Sequence, residues 1–520
     1  MPYVPFGSGS LEYSPAPRRF EEVFDELRRT WRRLDRVQLV RSLIMRLHQK
    51  ESVDAITFSL DVRARGHMDF VPRSLLLWVL ADTHVYRGAL KTADEATVQR
   101  MLNLTWELSA ARGALRPFED SPFLALRNIA VQQFSQQELL LTSTVGRNWI
   151  IFGGLASNHR VRKLIEDVVG VSVEDAMAFV FLLSSACIQP SGTSLGPVIF
   201  QYARNAFNVK TQLRDTLCAH DGSALRSSIR VAYTQEEVFA PSPFIRYPLI
   251  QLSADVCIVD PICAAKTAEH FPAQIVAEFG SQEHKKALTE LYEAYANQRV
   301  SEVFPHDSIV GEKLRGVVQG KVCDQFIRLS PTKVLLVEVK SGALADHKSV
   351  SMSSDRLFST LEGILKEGFE QLLATQRHLL ALRAIQPSDQ VVMLLVAREN
   401  LRLPSGALLR GMMPKLETHI VGVADDRTWD DLFVCCLDEF DELLDLHATD
   451  AVRLVDFFSD DSVTDANPIR SKTGLGGRLR SAKRAHVAPH LNVAYNAAAT
   501  HCGLLLNEMK ETHHTGSKVQ

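Results

Sequence analysis

The stretch Lys333–Lys340, KVLLVEVK, constrains the fold more than any other segment of the chain. Val334, Leu335, Leu336, Val337 and Val339 place apolar side chains on both alternating faces. A strand of that kind must be covered on both sides, as a central strand of an α/β sheet is. Just before it, Ser330-Pro331-Thr332-Lys333 supplies turn chemistry. The run over 317–329 ahead of the turn is strand-like as well, so a β-hairpin is expected.

Around this hairpin, strands alternate with helices. Helical patterns cover 281–298, 355–384 and 429–446, and strand-like runs cover 390–397 and 418–423. Upstream, β-like runs at 228–233, 247–252 and 256–259 are punctuated by Pro241, Pro243 and Pro248. The expected fold class is α/β, a mixed sheet flanked by helices, preceded by a mainly α-helical domain. The expected divisions are 1–235 for the helical domain, 236–455 for the α/β domain and 456–520 for a basic flexible tail.

Within the helical domain, residues 1–17 read as a loose arm. Phe20, Val23, Phe24, Leu27, Trp31 and Leu34 then recur at spacings of three and four, the mark of an amphipathic helix. Its other face carries Arg28, Arg29, Arg32, Arg33 and Arg36, interleaved with Glu21, Glu22, Asp25 and Glu26. That face is either a partly neutralised solvated surface or a phosphate-contacting one. Further helical signals cover 74–86, 97–111 and 161–169, with Asp94 and Ser172 as N-caps. A role in sensing, oligomerisation or partner binding is expected of this domain.

Charge and motif content exclude several function classes. Lys and Arg total 58 against 61 Asp and Glu, a net charge of −3, so any nucleic-acid contact must be local. The tail supplies one candidate: 467–490 has no acid and contains Arg478, Arg480, Lys483 and Arg484. Eight cysteines include no CxxC pair, which leaves no zinc spacing and fits reduced thiols in a cytoplasm. The N-terminus has no apolar leader, and the apolar run at 176–188 is too short to span a bilayer, so no membrane partner is expected. No GxxxxGK[ST] loop is present. The GxSxG match at 192–196 lacks the strand that a nucleophile elbow requires.

Chemistry concentrates at the hairpin. For a turn centred on Pro331, residues whose numbers total 662 face each other, and Asp324 and Glu338 are such a pair. Cross-strand Cβ atoms lie about 5 Å apart. Lys340, two residues beyond Glu338, shares its face. Two carboxylates facing each other in an apolar strand repel and are costly to ionise unless a cation joins them. Phosphodiester hydrolysis needs a hydroxide near neutral pH, a neutralised transition state and a stabilised leaving oxygen, all of which a carboxylate-held divalent cation supplies. Magnesium keeps several waters, so two or three carboxylates suffice. Two other Glu-x-Lys copies, at Glu283 and Glu508, lie in polar helical settings. The alternative is that Glu338 and Lys340 are surface residues at a strand end, with Asp324 incidental.

An acid, a turn and an apolar strand running into Glu-x-Lys resemble the PD-(D/E)xK, or restriction-endonuclease-like, nuclease superfamily. The resemblance covers residues 280–425 and implies an α-β-β-β-α-β core. It implies that Asp324, Glu338 and the carbonyl of Val339 bind Mg²⁺ or Mn²⁺, and that Lys340 positions or activates water. It nominates Gln371 as a supporting residue on the following helix. From Leu291-Tyr292-Glu293-Ala294-Tyr295 it nominates Glu293 as an outer ligand, with Glu302 as the alternative. Cys323 stands where the family pattern has proline. The segment 341–354 becomes a loop over the site, bringing His347 and Lys348 to substrate or leaving them solvated. The implied activity is cleavage of DNA, with RNA not excluded, in an architecture analogous to bacterial defence nucleases. The competing reading is a catalytically inactive protein that kept the fold for nucleic-acid binding, regulation or scaffolding.

Overall fold

The computed structural model describes residues 18–48, 70–82, 84, 90–109, 141–188, 211–219, 240–252, 255–315, 321–341, 354–404, 406–413, 429, 431–449, 453–458 and 488–516, with 124, 127, 128, 131, 225, 415, 416 and 479. In chain order the helices are α1 (Phe20–Trp31), α2 (Arg36–His48), α3 (Phe70–Ala81), α4 (Glu95–Ser109), α5 (Leu141–Asn148), α6 (Arg160–Val169), α7 (Val173–Ile188) and α8 (Thr211–Leu217). Strands β1 (Cys218–Ala219), β2 (Leu249–Leu252) and β3 (Asp255–Ile258) follow, then α9 (Pro261–Phe279) and α10 (Gln282–Val303). Next come β4 (Ser308–Val310), α11 (Gly311–Arg315), β5 (Gln325–Ser330), β6 (Lys333–Lys340), α12 (Ser354–Ala381) and β7 (Gln390–Ala397). The chain continues through α13 (Gly406–Met412), β8 (Leu432–Cys436), α14 (Leu437–Ala448), α15 (Leu454–Phe457) and α16 (Pro489–Gly516). The molecule is thus mostly helical with two small mixed sheets. Among the described residues no helix is long and apolar enough to cross a membrane.

The chain forms two compact units, 1–139 with 180–268, and 140–179 with 269–520. In the first, α1 buries Phe20, Val23, Phe24, Leu27 and Trp31, the stripe its spacing predicts. Trp31 and Arg32 both bond the carboxylate of Asp82, at 2.7 Å each. Arg28 pairs with Asp25 and Arg36 donates to the Leu80 carbonyl, so much of the arginine face is engaged internally. Asp94 caps α4 through the Thr97 N–H at 2.7 Å. A small sheet in the order β1-β2-β3 pairs β1 with β2 in parallel and β2 with β3 antiparallel.

The second unit holds a five-stranded sheet in the order β4-β5-β6-β7-β8. β4, β5 and β6 are antiparallel neighbours, and β6, β7 and β8 run parallel. The β6–β7 crossover is made by α12, as a parallel connection requires. Helices α10, α12 and α14 pack against the sheet, and Val334 through Val337 are fully buried beneath them. Each such side chain contributes about 1.5–3 kcal/mol by its removal from water. Ser172 caps α7 through the Asp175 N–H at 3.1 Å.

This division differs from the one expected from sequence. Residues 140–179 belong with the α/β core because α5 packs along α16 and α6 packs on α10. The α5–α16 approach is so close that a Cβ at Gly146 would sit 2.4 Å from the Leu491 carbonyl oxygen. The expected flexible tail is corrected in part: Pro489–Gly516 is the helix α16, which buries Leu491, Ala494, Ala498, Cys502 and Leu505. The expected helix over 429–446 is also corrected. Leu432–Cys436 is the parallel edge strand β8, every residue of it buried, and the helix begins at Leu437. The short strands β4 and β1 and the helix α9 were not anticipated. The runs expected at 228–233 and 418–423, and the GxSxG match, lie outside the described residues.

A buried polar cluster ties four helices of this unit together. Arg147 of α5 bonds Asp441 and Asp438 of α14 at 2.9 and 2.7 Å. The Tyr295 hydroxyl of α10 lies 2.9 Å from both Asp441 carboxylate oxygens and 3.1 Å from His490 Nε2 of α16.

Candidate active site

Register decides what can meet at the hairpin. Gln325 faces Val337, Phe326 faces Leu336, Ile327 faces Leu335 and Arg328 faces Val334, and each pair of numbers totals 662. A bulge absorbs the shift at Ser330 and Lys333, next to the turn. Asp324 sits one residue before β5, so the same register carries it opposite Glu338. Its Oδ2 accepts the Val339 N–H at 2.8 Å. The hairpin therefore delivers an acid to the end of β6, where the sequence register expects one.

Glu338 is 1% exposed. Its Oε1 forms an ion pair with Lys340 Nζ at 2.7 Å, while Oε2 is buried and has no hydrogen-bond partner among the described residues. Burial, reinforced by the Asp324 charge, pushes the Glu338 carboxyl up to about 8. Lys340 works against that rise and Glu293 adds to it. Lys340 in turn donates to Gln371 Oε1 on α12, and Gln371 Nε2 donates to the Val322 carbonyl at 3.4 Å. The ammonium is thus gripped between a carboxylate and an amide, with a fifth of its side chain exposed.

Helix α10 lays a polar stripe along the same strands. Thr289, Glu293 and Asn297 recur at i, i+4 and i+8, one face of a helix. The Ser341 hydroxyl bonds Thr289 Oγ1 at 2.8 Å, and Gln325 Nε2 donates to Asn297 Oδ1 at 2.5 Å. Between these two contacts, Glu293 reaches Glu338 electrostatically. Glu302 is otherwise occupied: it pairs with Arg299 and accepts from Gln298 at 2.9 Å. Thr289, Asn297 and Ser341 were missed by sequence reasoning, although the four-residue spacing about Glu293 was there to be read.

The structure brings together Asp324, Glu338, Lys340 and Gln371, with Val339 between them and Glu293 within electrostatic range. Lys348, His347, Arg478, Arg480, Lys483 and Arg484 lie outside the described residues. The donor set suits a hard divalent ion: carboxylate oxygens, one of them orphaned, with mutual repulsion that a cation would relieve. Among the described residues no group of three or more His, Cys, Asp or Glu side chains gathers closely enough to form a complete ligand set. Two carboxylates with retained water remain sufficient for magnesium. Comparison with family models, curated proteins and solved structures yields no match to this chain.

Proposed function

We propose that this chain is a divalent-metal-dependent nuclease that hydrolyses phosphodiester bonds of DNA. The observation that carries the reading is the meeting of two buried carboxylates across the β5–β6 hairpin, one with an unsatisfied oxygen and a lysine on its own face. The order α10, β4, β5, β6, α12, β7, with the short helix α11 inserted between β4 and β5, supports it, since a PD-(D/E)xK core would run α-β-β-β-α-β. Asp324 and Glu338 would hold Mg²⁺ or Mn²⁺, with the Val339 carbonyl and Glu293 as further oxygens. The bound ion would supply an acidified water and neutralise charge on the phosphoryl group. Lys340, held by Gln371, orients the attacking water and stabilises negative charge as the water oxygen joins phosphorus and the leaving oxygen departs. By analogy with defence nucleases, the helical unit would sense a target or partner.

The direct test incubates plasmid DNA and Mg²⁺ with the protein, Glu338→Ala and Lys340→Ala, beside a parallel RNA substrate. The unaltered protein is expected to cut DNA, and each variant to lose about 100-fold or more of the rate. Equal cutting by all three would remove this site from the reaction. Faster cutting of RNA would keep the chemistry and change the substrate.

One observation favours a second reading, a nuclease-like domain that binds nucleic acid without cutting it. Lys340 forms an ion pair with one oxygen of Glu338 at 2.7 Å, so that oxygen has a cationic partner within the chain itself. Calorimetric titration with Mn²⁺ separates the two, because a non-catalytic domain of that kind gives no site-specific heat.

A further inference from the structure

The three residues ahead of β5 form a strap that carries Asp324, and two other elements grip it. On α12, the buried Thr375 Oγ1 accepts the Cys323 N–H at 2.8 Å and donates to the Gln371 carbonyl at 2.8 Å. One turn earlier on the same helix, the Gln371 side chain holds the Val322 carbonyl. At the start of α11, Gly311 donates its N–H to the Asp324 carbonyl at 2.7 Å. A Cβ at position 311 would lie 2.5 Å from the Cys323 carbonyl oxygen and 3.2 Å from the Asp324 Cα. Only glycine permits that approach, because the atoms met are backbone and cannot rotate away.

We propose that Thr375 and Gly311 are positioning residues that pinch the strap between α12 and α11 and thereby fix the Asp324 carboxylate against β6. This rests on the nuclease reading for its functional meaning but not for its geometry. Among the described residues, the Thr375 hydroxyl bonds the Cys323 N–H and the Gln371 carbonyl and not Glu338 or Lys340. It acts on Asp324 through the backbone of Cys323, and on Lys340 through the Gln371 carbonyl one turn away. Removing its hydroxyl leaves the buried Cys323 N–H without an acceptor, and the strap moves to find one. Serine keeps the hydroxyl and is expected to keep the strap in place.

The reporter is the Val339 amide, which donates to Asp324 Oδ2 and can be read without metal. Hydrogen exchange of the full chain, resolved at Val339 by mass spectrometry with residue-level fragmentation, is measured for Thr375→Val, Thr375→Ser, Gly311→Ala and Gly363→Ala. Gly363 is a glycine control in α12, where an added Cβ meets nothing within 4 Å. Thr375→Val and Gly311→Ala are expected to speed Val339 exchange roughly tenfold or more, with Leu336 and Val337 unchanged. Thr375→Ser and Gly363→Ala are expected to match the unaltered protein. In Mn²⁺ titrations of the same set, binding is expected to weaken about 10- to 100-fold in Thr375→Val and Gly311→Ala only. Unchanged Val339 protection in Thr375→Val overturns the proposal, whether or not Gly311→Ala folds. If the unaltered protein neither binds Mn²⁺ nor cuts DNA, the nuclease reading falls, and Val339 exchange still decides the positioning claim.

Discussion

At the scale of single residues, Glu338 sets a pH dependence of stability and, on the nuclease proposal, one of ion binding. Its pKa is raised from the ordinary 4.5 to about 8, so the folded chain holds a proton that the unfolded chain releases. The stability this gives is fully present below pH 4.5 and is lost as pH rises through about 8. Glu338→Gln is therefore expected to stabilise the metal-free protein at pH 8 by on the order of a few kcal/mol, and to flatten its pH dependence, in urea melts. Ion binding runs the other way. On the proposed reading a cation would have to displace the Glu338 proton, so Mn²⁺ affinity is expected to rise from pH 6 to 8 and binding at pH 7 to release protons, measurable by calorimetry in buffers of different ionisation enthalpy. Asp324, Glu338 and Lys340 were legible in the sequence because a strand period of two and one turn centre fix the register. Choosing Glu293 over Glu302 was not legible. It depends on helical phase and on Arg299 taking Glu302, which only packing reveals.

At the scale of elements, glycine positions separate helices that touch a backbone from helices that do not. Gly363 in α12 and Gly503 in α16 have nothing within 4 Å of an added Cβ, so alanine at either is expected to raise stability by up to about 1 kcal/mol, read as an increased Tm. Gly146→Ala in α5 is expected to do the reverse, because its Cβ would meet the Leu491 carbonyl oxygen. The β6 strand was readable as an unbroken apolar run after a turn, and α12 from long helical periodicity. Leu432–Cys436 was misread because a five-residue apolar run looks the same to a helix and to a buried strand. The boundary did carry a signal: the Cys436 N–H bonds Glu439 at the third helical position, marking a helix that starts at 437. In the last helix, Leu491, Ala494, Ala498, Cys502 and Leu505 keep helical spacing, a pattern obscured by the basic stretch before it.

At the scale of the molecule, the cluster around Asp441 makes acid the unit's weak condition. His490 is lowered from 6.5 to about 4 by burial first and by the Arg299 charge second. The stability it gives is present above pH 6.5 and is lost as pH falls through about 4. His490→Gln is expected to blunt acid unfolding over that window, followed by circular dichroism. Removing Arg147 takes from buried Asp441 its nearer cation, leaving the Tyr295 hydroxyl and Arg299 at 3.7 Å, and is expected to cost up to about 3–5 kcal/mol in a denaturant melt. None of this was visible in the sequence, where Arg147, Tyr295, Asp441 and His490 lie far apart and carry no motif. The role of the helical unit was equally illegible, since its buried stripes state how it folds and hold no chemistry that names a partner.

The proposed activity requires Asp324 and Glu338 to share one divalent ion. A crystal soaked in Mn²⁺ and measured at the manganese edge tests that directly. The expected result is an anomalous peak bonded to oxygens of both carboxylates, absent from Glu338→Ala crystals. Manganese bound elsewhere on the protein, with no peak between Asp324 and Glu338, would contradict it.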